Sequence, residues 1–129
     1  MSNLDYEIKV DNTELVEQEF AKAVAECLEA IGMKVEEYAS DLCPVGTEES
    51  TGIKGYKGGS LLSTIRHERI SEDTVAIKAG GKQGLYKFVN YATYVELGTS
   101  KMKAKPFMKP AIENHMSELK EIVERAFKG

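Results

Sequence analysis

Tryptophan is absent from this 129-residue chain, proline occurs three times and cysteine only twice. Cys27 and Cys43 lie sixteen positions apart, about 24 Å along a helix that rises ~1.5 Å per residue, which is too far for a disulfide. Two cysteines cannot build a zinc site alone, and His67 and His115 stand in no HExxH or paired-acid spacing. No apolar run approaches the roughly 20 residues of a bilayer span. The N-terminus, Met-Ser-Asn-Leu-Asp-Tyr-Glu, has neither a basic nor an apolar leader region. The chain therefore reads as an intracellular protein with reduced thiols. Gly58-Gly59-Ser60 and Gly80-Gly81-Lys82 match no phosphate-binding or dinucleotide fingerprint. Cys43 and His67 can be written as a nucleophile and its base, but nothing in the sequence orients the pair. Cys43 also closes an apolar stripe, where a small hydrophobe fits. No cofactor and no metal is implied, and the expectation is a protein that is not an enzyme.

What is present is an ordinary globular composition, 42% hydrophobic and 29% charged, with enough chain for one domain over residues 1–129. The net charge of -4 hides a segregation. Residues 51–110 carry eleven Lys or Arg against four Asp or Glu, a local net of +7, and the two flanks together carry -11. Such a molecule can attract copies of itself head to tail, or offer its basic middle to an anionic partner. Lys54 and Lys57 flank Tyr56, and Lys101, Lys103 and Lys105 follow a Gly-Thr-Ser turn. Lysines with an interleaved aromatic can hold a phosphate backbone. Only two arginines, Arg66 and Arg69, lie in the basic middle, and the overall isoelectric point is about 5.3. A dedicated nucleic-acid binder carries its excess across the domain, so direct DNA contact is the alternative rather than the leading reading.

Residues 1–12 read as a flexible N-terminus. Asn12-Thr13 with Glu14, Glu17 and Glu19 makes a helix start. From Val16 through Phe20, Val24, Cys27, Leu28, Ile31, Val35, Tyr38 and Ala39 to Leu42, apolar residues recur at three- and four-residue steps. That is one stripe of a helix of roughly 30 residues. Gly32 near the buried side costs about 1 kcal/mol relative to Ala, a cost that a close-packed neighbour explains. Pro44 stops the helix. Residues 44–60 hold five glycines without periodicity and read as a long loop. Leu61–Ile70 starts helix-like and turns strand-like, Ser71-Glu72-Asp73 suits a hairpin turn, and Thr74–Ala79 alternates as a strand. A glycine loop at residues 80–84 precedes a strand at Leu85–Asn90. Residues 91–97 form a brief helix ended by a left-handed Gly98 cap. Thr99–Lys105 is a basic loop, and a last long helix starts at Pro106. The order defines an α+β fold: two long helices packed on a small antiparallel sheet, with a short helix and long loops.

Tyr91-Ala-Thr-Tyr-Val-Glu-Leu-Gly-Thr-Ser-Lys-Met-Lys-Ala-Lys-Pro-Phe-Met-Lys-Pro-Ala111 closely resembles the signature of the neck, or head–tail joining, proteins of long-tailed phages and prophages. Family members read Tyr-Ala-x-Tyr-Val-Glu-Phe-Gly-Thr, then Met-x-Ala-x-Pro-Phe-Leu-x-Pro-Ala; Leu97 and Met108 are apolar replacements within that pattern. Upstream, the acidic helix ends in Cys43-Pro44-Val45 where the family has Ala-Pro-Val-Asp-Thr-Gly, and Ser60–Ile65 matches the family's leucine-bearing segment. The likeness runs from about residue 15 to 125 and departs in the loop, which is about ten residues longer before Ser60. It implies a structural virion protein, assembled in the bacterial host cytoplasm, that joins head-side connector to tail, with a homo-oligomeric ring as one mode of assembly and no membrane partner. Within the motif, Tyr91, Tyr94, Val95 and Leu97 are expected to pin the short helix to the sheet, with Tyr94, Val95, Phe107 and Ala111 in the core. Glu96 is expected to pair with Lys101 or Lys103 of this chain or a neighbour. The residues expected at partner contacts are Lys54, Tyr56, Lys57, Glu96, Lys101, Lys103 and Lys105.

Overall fold

Leu4, Tyr6 and Ile8 alternate with Asp5, Glu7 and Lys9, a period of two that suits a strand with one buried face. In the computed structural model, which describes residues 4–9, 18–45, 59–85, 88–101 and 103–128, this stretch is strand β1 (Leu4–Lys9). The N-terminus is thus not simply a flexible lead-in. The apolar set Leu4, Tyr6 and Ile8 packs on the core, which holds the segment in the sheet.

Helix α1 (Gln18–Leu42) follows; the expected helix start at residues 12–17 lies outside the described residues. Its stripe of Val24, Cys27, Leu28, Ile31, Val35 and Ala39 is buried. After a 3₁₀ turn (Leu62–Thr64) come β2 (Arg66–Arg69) and β3 (Thr74–Ala79). Thr64 ties the turn to the strand end: its hydroxyl donates to the Leu61 carbonyl and accepts the Gly80 N–H at 2.8 Å. At the hairpin, the Asp73 carboxylate accepts from the Ser71 and Thr74 hydroxyls, both at 2.9 Å, the local side-chain bonding that favours such residues in turns.

The sheet order is β1-β3-β2, antiparallel throughout. Register sets Tyr6, Ile77 and His67 in one row and Glu7, Ala76 and Glu68 in the next. One face therefore meets the helices and the other carries alternating charges. The glycine loop contains a two-residue strand β4 (Lys82–Gln83), paired with β5 (Phe88–Val89), so the expected strand at Leu85–Asn90 is shorter than its composition suggested.

Helix α2 (Ala92–Leu97) ends at Gly98, whose φ of 78° and ψ of 173° lie in a region open only to glycine, rather than in the left-handed helical region expected. The last helix does not begin at Pro106. It starts as α3 (Lys109–Glu113), breaks at Asn114–His115, and resumes as α4 (Met116–Lys128). At the break the His115 N–H bonds the Ile112 carbonyl, and the His115 ring stacks on Tyr38 with centroids 3.5 Å apart. Phe107, Met108, Leu28, Ile31 and Ile77 occupy the centre of one buried cluster. Both cysteines are buried free thiols, as their spacing required. Among the described residues no helix is long and apolar enough to cross a membrane.

Candidate functional site

The signature segment folds back on itself around one carboxylate. A six-residue helix can turn only part of its surface inward, and α2 buries Ala92 and Glu96. Glu96 is 3% exposed. Its Oε1 accepts the N–H groups of Phe107 and Met108, each at 2.9 Å, and Oε2 accepts that of Lys109 at 3.0 Å. Those donors enter α3, whose first N–H groups have no partner within the helix. A negative charge is favoured at such a terminus, and charge-assisted bonds are about twice as strong as neutral ones. A bond from the Lys105 N–H to the Val95 carbonyl at 2.8 Å closes the same junction.

The expected pairing of Glu96 with Lys101 or Lys103 is therefore corrected. Both carboxylate oxygens are occupied by backbone, and the side chain is buried away from any partner surface. Its role as a cap delivered from another helix escaped sequence reasoning; the signal was a glutamate before a glycine that shares one motif with Pro106-Phe107. The phenol of Tyr6 also lies against this centre. Its pKa is pushed up, first by burial and then by the Glu96 and Glu113 carboxylates.

Two further motif residues point outward. Tyr94 is 58% and Leu97 is 69% exposed, so neither pins α2 to the sheet. They lie three residues apart on the helix face opposite Ala92 and Glu96. Val95 and Tyr91 pack against the core, and Phe107 and Ala111 are fully buried, as expected. Lys101, Lys103 and Lys105 are exposed, on the loop that leaves Gly98. Lys54, Tyr56 and Lys57 lie outside the described residues.

A second polar cluster joins α1 to β2. Glu29, Gly32 and Glu36 share one helix face. His67 inserts there, with Nε2 2.8 Å from Glu29 Oε1 and Nδ1 3.2 Å from Glu36 Oε1. A Cβ on Gly32 would sit 2.6 Å from His67 Cδ2, so the close neighbour anticipated for this glycine is the imidazole. A neutral imidazole has one N–H and can satisfy only one carboxylate; the imidazolium satisfies both. Burial pulls the His67 pKa down, but the bonds and charges of Glu29 and Glu36 outweigh it and the net shift is upward. A ring held this way is not free to act as a base for Cys43. Burial pushes the Cys43 thiol up to about 12, and its Sγ contact is the Pro44 carbonyl at 3.5 Å. A nucleophilic thiol needs the opposite environment. Among the described residues no group of three or more His, Cys, Asp or Glu is arranged to hold a metal ion.

No family model matches the chain, and no curated protein or solved structure matches it either.

Proposed function

We propose that this chain is a structural protein of a tailed phage or prophage particle, acting at the junction of head and tail. The sequence pattern of residues 91–111 is the ground for the reading. The observation that supports it is how that pattern divides in space. Glu96, Phe107, Met108 and Ala111 form an inner lock, while Tyr94, Leu97 and the lysines at 101, 103 and 105 face solvent. A rigid, buried frame that presents an aromatic, an aliphatic and a basic loop suits a surface made for docking. Exposed aromatic and apolar anchors carry most of the energy of such contacts, and surrounding charge sets orientation and encounter rate. The proposed partners are the head-side connector and tail proteins, with virion assembly in the host cytoplasm and no catalytic step.

The test is genetic. Deleting the gene from the element that carries it should leave filled heads and finished tails unjoined under the electron microscope, and supplying the chain in trans should restore joined particles. Joined, infective particles from the deletion would end the proposal.

Nucleic-acid binding is the second reading, and one observation favours it. Lys101, Lys103 and Lys105 are exposed and take part in no ion pair among the described residues. It requires an affinity for DNA that falls steeply with salt and that is lost when these three lysines are neutralised.

A further inference from the structure

The two edges of the three-stranded sheet differ in how they are guarded. β2 is four residues long and polar at every position. Its Arg66 guanidinium is tied back to the Thr64 carbonyl at 2.6 Å, and its Glu68 is tied to Lys78 at 2.8 Å. Short, charged edges resist added strands. β1 has six residues, no proline and strict apolar–charged alternation, and its outer edge pairs with no strand among the described residues. Beside it runs an apolar groove of about 640 Å³, floored by Ile8, Ile31, Ile112, Leu119 and Val123. Three consecutive β1 residues, Glu7, Ile8 and Lys9, line that groove.

We infer that β1 pairs with β1 of a second copy of this chain, antiparallel and centred on Glu7, joining two sheets into one of six strands. The register follows from the side chains. Centred there, Asp5 faces Lys9 of the partner subunit and Tyr6 faces Ile8 of the partner subunit, each pair occurring twice by symmetry. The charged pairs fall on the solvated face and the Tyr–Ile pairs on the face that meets the helices, at the mouth of the groove. One like-charge contact remains, Glu7 against Glu7 of the partner subunit on the axis. A shift of one residue would set apolar side chains against charged ones on every row. Centring on Tyr6 would put Asp5 against Glu7 twice, and like charges directly opposite one another destabilise a pair. Centring on Ile8 would use only three residues of the strand. Lys9 also lies 3.6 Å from Asp73 of its own chain, and at 65% side-chain exposure it remains open to a second carboxylate. The inference rests on β1 alone and goes beyond the proposed virion role.

The test uses the full chain and cysteines placed at exposed positions, since the native Cys27 and Cys43 are buried. Cα atoms of directly opposed strand residues lie about 4.5–5.5 Å apart, within disulfide range. Glu7→Cys should therefore cross-link to a covalent dimer under mild oxidation. Asp5→Cys and Lys9→Cys alone should not, and the Asp5→Cys/Lys9→Cys double variant should. In sedimentation velocity the unmodified chain should dimerise reversibly; Glu7→Gln should tighten the dimer and Asp5→Lys should weaken it at least tenfold, with unchanged circular dichroism. A chain that stays monomeric up to millimolar concentration overturns the inference. So does a dimer indifferent to Asp5→Lys, or equal cross-linking from all three single cysteines.

Discussion

Two junctions in this molecule set carboxylates against polar partners, and they behave oppositely. At the α2–α3 junction, Glu96 is buried and its three partners are backbone N–H groups, which do not titrate in the physiological range. At the α1–β2 seam, Glu29 and Glu36 keep 55% and 35% of their side-chain exposure and hold an imidazole, which does titrate. The first junction is constitutive and its loss is large; the second depends on a proton and its loss is graded. The same kind of side chain becomes part of the frame or part of an adjustable seam according to what it faces and how much water reaches it.

The largest effect is expected from Glu96→Ala. It strands up to three N–H groups at a buried helix start, where each unsatisfied donor costs about 1–3 kcal/mol, so a loss of about 3–5 kcal/mol in urea unfolding is predicted. A loss below about 1 kcal/mol would remove the constitutive half of the comparison. Next comes Gly32→Ala. Its new methyl would press on the His67 ring, and overpacking of this kind costs about 1–3 kcal/mol. Combining it with His67→Ala should recover much of that loss, a non-additivity that a double-mutant cycle would read directly.

The seam also predicts a pH dependence. The His67 pKa is raised on folding, so its stabilisation is fully present below the ordinary histidine value of about 6.5 and is lost as pH rises through the folded value. Urea midpoints followed from pH 6 upward should fall for the unmodified chain, and His67→Gln should flatten that portion of the curve. A steeper fall in the variant would contradict the assignment. The smallest effects belong to Glu29→Gln and Glu36→Gln taken singly. Each leaves one carboxylate on the ring, and partly exposed ion pairs contribute about 0–1 kcal/mol. Both should narrow the pH window in which His67 stabilises the fold.

Much of the fold was legible because burial imposes periods. The α1 stripe from Val24 to Ala39, the alternation of Thr74–Ala79 and the hairpin at Ser71–Asp73 all follow from side-chain spacing. The alternation of Leu4, Tyr6 and Ile8 was equally present in the sequence, but a terminal position hid its meaning, because nothing local says that Leu4 finds Ala79 and Lys9 finds Thr74, far along the chain. The break at Asn114–His115 was not legible: the apolar pattern of α3 and α4 runs through it, and the contact found there, His115 stacked on the Tyr38 ring, comes from another helix. Of the candidate site, the motif located the right segment but misassigned three side chains, Glu96, Tyr94 and Leu97. Glu96 looked like a surface charge because its partners are main-chain groups, which no side-chain spacing reveals. Tyr94 looked like core because it is aromatic, although α2 is too short to bury both its faces. Gly32 gave the clearest advance signal, since a glycine on a buried helix stripe requires a close neighbour.

The most direct test of the central claim is immunogold electron microscopy of purified particles from the element that encodes this chain. The proposed role predicts label at the junction between head and tail, present in intact particles and lost from tails detached before joining. Label spread over the capsid wall, or particles that carry none of the chain, would contradict it.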